Sequence, residues 1–133
     1  MLKIEVVYVD LPDLIELRVV CANEWFRGTT DVYANPAAIS EMSEALRGFP
    51  KNGEDSRQID LGASIEKEGS SARLAFQCLD GSGHAQINAR LEHEGEFVQV
   101  KLPVVPAEID NFVSDLARLG FEVGKQAVMP RDA

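Results

Sequence analysis

Short stretches in which apolar and polar residues alternate fill much of the chain, and this period of two predicts β-strands. In the second half, four consecutive segments each keep one apolar face when neighbours are paired antiparallel. Their apolar positions are Ile59, Leu61, Ala63 and Ile65; Ala72, Leu74, Phe76 and Cys78; Ala85, Ile87, Ala89 and Leu91; and Val98, Val100 and Leu102. A two-residue turn at Glu94-Gly95 sets Leu91 opposite Val98, and the rest of this hairpin follows in register. The pattern therefore predicts a four-stranded antiparallel meander.

The first half of the chain predicts three further strands. A turn over residues 10–13 joins the first two, and Glu5 then opposes Arg18 on the polar face, which is a favourable cross-strand pair. The apolar pairs are Leu2 with Cys21, Ile4 with Val19, Val6 with Leu17, and Tyr8 with Ile15. A third strand is predicted over residues 26–34, and its inward residues are Phe26, Gly28, Thr30 and Val32. The opposite register would bury Arg27 and Asp31.

Two segments with a period of 3.6 residues predict amphipathic helices. In the first, Asn35-Pro36 is read as the N-cap and first helical residue, and Gly48-Phe49-Pro50 ends the helix. Pro106 opens the second helix and Gly120-Phe121 closes it. The two apolar stripes are Ile39, Met42 and Leu46, and Ile109, Phe112, Val113, Leu116 and Leu119.

The resulting order, β-β-β-α-β-β-β-β-α, is typical of an α+β fold with a mainly antiparallel sheet. Two helices of about 10 Å cover about 20 Å, whereas seven strands at about 4.8 Å spacing extend about 33 Å. We therefore expect a curved sheet with both amphipathic helices packed on one face and facing the last hairpin, or an uncovered part that packs on a second copy. One α+β domain is predicted over residues 1–121, followed by a C-terminal tail over residues 122–133.

Composition narrows the classes of partner. The chain has 133 residues and a formal net charge of −9, with 13 basic and 22 acidic residues spread along it. Such a field repels phosphate backbones, so we expect no nucleic-acid partner. The charge is explained by solubility alone, and among protein partners it suits a basic one best. The chain shows no apolar run long enough for a membrane span and no basic leader with an uninterrupted apolar run, so we expect a cytoplasmic protein without a membrane partner.

The candidate catalytic and metal motifs are weak. The loop Asp80-Gly81-Ser82-Gly83-His84 places Ser82 and His84 too close in sequence for a nucleophile and its base, and it is expected to be a hairpin loop. His93-Glu94 starts like a zinc-protease motif, but Phe97 stands where the second histidine belongs. Cys21 and Cys78 are expected to be buried, reduced thiols. We therefore expect no catalytic residue, no metal site and no cofactor.

The polar face of the predicted meander is the candidate site. The registers set Arg73 opposite Arg90, although like charges opposite one another cost stability. One interpretation is that the diagonal residues Glu66 and Glu92 neutralise the pair at a solvated surface. The other is that this face binds a partner. The residues of that predicted partner-binding surface are Arg73, Arg90, Gln86 and Asn88, with Trp25 and Tyr33 as aromatic anchors.

Two segments carry a resemblance to a known family. Leu79 to Leu91 contains Asp80 and Gly83-His84-Ala85 before a strand, and Pro106 to Leu119 contains Glu108-Ile109-Asp110 and Phe112-Val113. In these features and in the order of its elements the chain resembles WapI-like bacterial immunity proteins and related small bacterial proteins. The resemblance implies a non-catalytic protein that neutralises a cognate toxin by binding it.

Three functions stay open from the sequence. The leading one is an immunity-like protein-binding module. The main alternative is a small-molecule-binding or enzymatic domain that uses a cavity between the curved sheet and the helices. The third is an oligomeric scaffold, and the sequence fits either a monomer or a homodimer.

Overall fold

The computed structural model describes residues 1–62 and 69–133, and within them eight strands and two helices. The strands are β1 (Leu2–Asp10), β2 (Leu14–Ala22), β3 (Arg27–Ala34), β4 (Ser56–Gly62), β5 (Ser70–Cys78), β6 (Ala85–His93), β7 (Glu96–Val104) and β8 (Gln126–Met129). The helices are α1 (Ala38–Leu46) and α2 (Pro106–Ala117). The predicted antiparallel α+β fold and its order of elements are confirmed, with β8 as an addition.

The strands form two four-stranded sheets, in the orders β3-β2-β1-β8 and β4-β5-β6-β7. Two helices are too narrow to cover one sheet of seven strands. The division into two sheets removes this mismatch, because the inner faces of the two narrower sheets and the two helices cover one another. The two helices pack together, with α1 beside β4 and α2 beside β8. The Ser43 hydroxyl on α1 donates to the Val113 carbonyl oxygen on α2 at 3.1 Å. Apolar residues from both sheets and both helices form one core.

The pairings of β5 with β6 and of β6 with β7 have the predicted registers. Leu91 lies opposite Val98, and the turn residues Glu94 and Gly95 both have positive φ, at 49° and 85°. Such angles are those of a two-residue hairpin turn. The six predicted inward residues of this hairpin point into the protein, and Leu91 and Val98 lie against β3 of the first sheet rather than against a helix. Ile59 and Leu61 are buried as predicted, whereas Ala63 and Ile65 lie outside the described residues.

The first hairpin differs from the prediction at one end. Its pairs from Leu2 with Cys21 to Val6 with Leu17 are confirmed, including Glu5 opposite Arg18. The predicted pair of Tyr8 with Ile15 is wrong, because a bulge after Val6 adds one residue to β1 and sets Val9 opposite Ile15. Val9 therefore packs on the core and Tyr8 turns outward.

The third strand starts one residue later than predicted. Gly28, Thr30 and Val32 face inward, but Phe26 is 67% exposed, so its predicted burial is wrong. The reason is the Asn23 side chain, whose Oδ1 accepts hydrogen bonds from the backbone N–H groups of Trp25 and Phe26, each at 2.8 Å. These bonds hold residues 23–26 in a turn and leave Phe26 outside the strand.

The helices begin and end close to the predicted residues. The residues of both predicted apolar stripes are buried. The predicted start of the first helix is two residues early, since α1 begins at Ala38, and the Asn35 Oδ1 accepts from the Ala37 N–H at 2.9 Å in the turn before it. Neither helix is long and apolar enough to cross a membrane, as far as the described residues show.

The C-terminal segment contains a strand that the prediction of a tail omitted. β8 pairs antiparallel with β1, and its Ala127 and Met129 side chains are fully buried. Only four residues long, β8 has too few alternating positions to be recognised from sequence. Residues 122–133 therefore contribute to the core of the first sheet.

The close contact at Gly28 gives a prediction about stability. A Cβ atom at this position would lie 2.5 Å from the Val98 Cγ1 and 3.2 Å from the Leu91 Cδ1. Valine is stiff about χ1, so Gly28→Ala should lower the free energy of unfolding by about 1–3 kcal/mol in urea denaturation. Gly81→Ala is the control, because its Cβ would meet no atom within 4 Å. An equal change in both variants would contradict the close packing of β3 on the second sheet.

The burial of β8 gives a second prediction. Met129→Ala should destabilise the protein by about 2–5 kcal/mol, because it leaves a cavity beside Leu2 in β1. The matched control is Val123→Ala in the same segment, where the side chain is exposed and the change should stay within about 0.5 kcal/mol. Thermal and urea unfolding measure both variants. Similar small changes would mean that residues 122–133 act as a tail.

Candidate functional site

The outward side of the second sheet, called here the polar face, collects four of the predicted site residues. In its first row, Asp60, Arg73, Arg90 and Gln99 lie side by side across β4, β5, β6 and β7. The next row holds Gln58, Ala75, Asn88 and Lys101, and the third holds Ser56, Gln77, Gln86 and Pro103. The predicted pairing of Arg73 with Arg90 is therefore confirmed.

Arg73 is oriented by an acidic neighbour on the edge strand. Its Nε donates to the Asp60 Oδ1 at 2.8 Å. The hydrogen bond from Arg73, with a further one from the Gln58 side chain, lowers the pKa of Asp60 in spite of its partial desolvation. Both partners are substantially exposed, so this ion pair contributes little stability and mainly fixes where the Arg73 guanidinium points.

Arg90 has a different arrangement, because it stacks on an aromatic ring. Its guanidinium carbon lies 3.7 Å from the centroid of the Phe97 ring, and Phe97 itself is 54% exposed. This is a cation–π contact between β6 and β7. The Arg90 Nε is buried without a hydrogen-bond partner among the described residues. The stack thus holds Arg90 away from Arg73 while it leaves part of the guanidinium unsatisfied.

Asn88 and Gln86 extend the surface along β6. The Asn88 Oδ1 is also buried without a partner among residues 1–62 and 69–133. Asn88 stands between the small side chain of Ala75 and Lys101. Buried polar atoms without partners cost free energy, and two of them lie on the outward side of β6.

The predicted neutralisation of the two arginines by Glu92 does not occur. Glu92 is only 9% exposed, and its Oε2 accepts from the Ser71 hydroxyl at 3.4 Å. Instead, Asp60 pairs with Arg73 and the Phe97 ring stacks on Arg90. Glu66 lies outside the described residues. The sequence offered a signal for both, because Asp60 and Phe97 have the outward parity of their strands.

The two predicted aromatic anchors lie in different places. Trp25 is 79% exposed in the turn that Asn23 organises, and the Asn23 Nδ2 also donates to the Lys101 carbonyl oxygen at 2.9 Å. This bond brings the turn, with Trp25 and Phe26, to the edge of β7. Tyr33 instead lies on the outward side of the first sheet, opposite Glu16. The structure thus places Trp25 at an edge of the sheet that carries the four polar residues and Tyr33 on the other sheet.

The loop over residues 80–84 is held by its own hydrogen bonds. The Asp80 Oδ1 accepts from the Ser82 N–H at 2.8 Å, and its Oδ2 lies 2.7 Å from the His84 Nδ1. The hydrogen bond with His84 holds the pKa of the Asp80 carboxyl below its usual range. His84 is therefore engaged with Asp80, and the loop has the bonding of a hairpin connection, as expected.

Among residues 1–62 and 69–133, no three side chains of His, Cys, Asp or Glu lie close enough together to hold a metal ion. Cys21 and Cys78 are both free and buried, as predicted. Burial raises the pKa of the Cys21 thiol to about 11, which suppresses the reactive thiolate near neutral pH.

No family model, no curated protein and no solved structure matches this chain.

The burial of the two thiols gives a prediction about reactivity. Ellman's reagent at neutral pH should label the native protein slowly, because Cys21 is fully buried and Cys78 is 5% exposed. In denaturant without reductant, both thiols should react at once. A single reactive thiol or none in denaturant would contradict the reduced state, and fast labelling of the folded protein would contradict the burial.

Proposed function

We propose that this chain is a non-catalytic protein-binding module whose contact surface is the polar face of the second sheet. The resemblance to WapI-like immunity proteins suggests the class of partner, a toxin that the chain neutralises in the cytoplasm. The observation that carries the proposal is the pair of arginines directly opposite one another on β5 and β6, with unpartnered polar atoms on β6 among the described residues.

This arrangement is costly for an isolated domain. Like charges directly opposite each other on a sheet destabilise it, and buried polar atoms without partners add to the cost. The apolar faces already provide the core, so neither arginine is needed for folding. A partner that offers carbonyl or carboxylate oxygens to Arg90, and a donor to Asn88, relieves both costs once the two side chains turn toward it.

The composition of the surface fits a protein partner. Arginine and aromatic side chains are the residues that most often contribute large binding energies at interfaces. Arg90 stacked on Phe97 provides such a unit at the centre of the surface, and Trp25 provides a second aromatic group at the edge of β7. The turn that carries Trp25 is held by hydrogen bonds with the Asn23 side chain, so its backbone loses little flexibility when a partner binds.

Charge acts at two distances in this proposal. The net charge of −9 favours encounters with a basic protein over long range, whereas Arg73, Arg90 and Lys101 make the contact itself. A basic toxin that carries exposed carbonyl or acidic groups at its contact site fits both features.

The small-molecule alternative has one specific observation in its favour at the helices. A pocket of about 170 Å³ lies between α1 and β4, lined by residues that include Met42, Gln58 and Ile59. Ligand pockets commonly enclose about 300–1,000 Å³, so this pocket is small for a substrate. The protein-binding proposal is therefore preferred at this end of the fold.

The test uses the product of a toxin gene adjacent to the gene for this chain. Arg73→Ala with Arg90→Ala should weaken binding in calorimetry by about fivefold or more, because the loss of even one arginine anchor commonly costs more than about 1 kcal/mol, which is about fivefold in affinity. The unfolding free energy should change by less than about 1 kcal/mol, since an exposed ion pair and a surface stack are lost and a repulsion is relieved.

The matched control removes the same charge elsewhere. Arg47→Ala with Arg118→Ala deletes two exposed arginines next to the helices and should leave the affinity unchanged. If both double variants bind alike, the polar face is not the contact surface. If the wild-type chain neither binds the toxin nor restores growth of cells that express it, the immunity function is wrong.

A further inference from the structure

The outward side of the first sheet carries a basin of about 530 Å³ that the protein-binding proposal does not use. Side chains from β1, β2 and β3 line it, and His93 at the end of β6 closes one side. The volume lies within the range of small-molecule sites, and it is about three times that of the pocket beside α1.

The floor of this basin is apolar. Val20 lies on the outward side of β2, directly between Lys3 on β1 and Thr29 on β3. In spite of that position, only 1% of Val20 is exposed. Long basic side chains bury their stems along apolar surface and keep their charges in water, so an apolar floor with a charged rim is the expected result.

The rim is cationic, in contrast to the chain as a whole. Three basic residues, Lys3, Arg18 and Arg27, line the basin together with one acidic residue, Asp31. The lining residues thus carry a formal charge of +2, three positive charges against one negative, whereas the whole chain carries −9. Glu5, which pairs with Lys3 and lies opposite Arg18 on the same side of the sheet, lowers this local charge to +1, which is still positive on an acidic protein.

The three basic side chains differ in their partners. Arg18 donates from its Nε and Nη2 to the two oxygens of Asp31 at 2.8 and 3.0 Å, which fixes the guanidinium and leaves Nη1 for another acceptor. Lys3 forms an ion pair with Glu5, with 3.4 Å between Nζ and Oε1. Among the residues that the structure describes, no carboxylate lies within ion-pair distance of Arg27.

Two neutral groups complete the basin. Thr29 contributes a hydroxyl beside Arg27. The His93 Nδ1 lies 2.7 Å from the Ser70 hydroxyl, so Nε2 is the ring nitrogen that is left for a ligand. The basin therefore combines a guanidinium with its fork of donors, an ammonium and an imidazole above an apolar floor, a set of groups that suits an oxyanion.

We propose that this basin binds a small phosphate-bearing molecule, with Arg27 and Lys3 on the phosphate and the organic part against the aliphatic stems of the basic side chains above Val20. Arg27 provides bidentate hydrogen bonds, Lys3 adds a point charge, and Arg18 is held by Asp31 at the rim. The site is separate from the polar face of the second sheet, so it stands or falls independently of the protein-binding proposal.

Phenyl phosphate is the probe, and inorganic phosphate and phenol separate its two parts. Titration by NMR should shift the backbone amides of Val20, Arg27 and Thr29 in a saturable manner. Phenyl phosphate should bind more tightly than inorganic phosphate, and phenol should not bind. Equal affinity for the two phosphates would identify inorganic phosphate as the ligand and overturn the proposed contact of the organic part with the apolar stems.

Variants test the named residues. Lys3→Ala with Arg27→Ala should weaken phenyl phosphate binding about tenfold or more, and Arg27→Lys should give an intermediate loss because it keeps the charge and loses the fork. The control is Arg47→Ala with Arg118→Ala, which removes the same charge from exposed positions next to the helices and should leave the affinity unchanged. Circular dichroism and thermal melting establish that each variant is folded.

Two results would overturn the proposal. One is the absence of saturable shifts around Val20 with phenyl phosphate up to about 10 mM, a concentration that exceeds the dissociation constant of even a weak specific site. The other is an equal loss of affinity in the control, because it would show a diffuse effect of net charge.

Discussion

The path of β3 across the inner face of the second sheet is the contact on which the remaining structure depends. Gly28 presses against Leu91 and Val98, and two residues further along the Thr30 hydroxyl donates to the Glu92 carbonyl oxygen at 2.9 Å. The missing Cβ of Gly28 lets the backbone of one sheet approach the side chains of the other. The Thr30 bond satisfies a buried hydroxyl at the same junction. Because the sheets meet here, α1 and α2 complete the core beside the opposite edge strands β4 and β8.

In this arrangement the inner faces of the two sheets form the core, and the outward faces of the two sheets carry most of the polar and charged side chains. The alternation of each strand then decides which charges reach the surface and in what order. On the second sheet it sets Arg73 beside Arg90, and on the first it surrounds Val20 with Lys3, Arg18 and Thr29. Two cationic regions thus stand on a chain of net charge −9. Long-range attraction and local contact can therefore favour groups of opposite sign on the same ligand or partner.

The two regions reduce the repulsion between neighbouring cations in different ways. On the polar face, Asp60 takes one guanidinium and the Phe97 ring takes the other, so the arginines are held apart by neighbours on both sides. In the basin, Asp31 holds Arg18 by two hydrogen bonds. These partners fix positions more than they stabilise the fold, since exposed ion pairs contribute little. Fixed positions are what recognition of another molecule requires.

The sequence determined the features that rest on short-range rules. Alternation and turn residues determined the hairpins, since a slip of one residue would expose an apolar face, and they thereby set Arg73 opposite Arg90. The helices and their buried stripes followed from the same logic. Only the tertiary structure decided the division into two sheets, the bulge after Val6, the strand β8 and the turn that keeps Phe26 outside β3. Each of these depends on contacts between segments distant in sequence or on one side-chain hydrogen bond. The partners of the arginines and the basin around Val20 were decided in the same way, because alternation indicates which side chains share a face of a sheet but not which of them come into contact with one another.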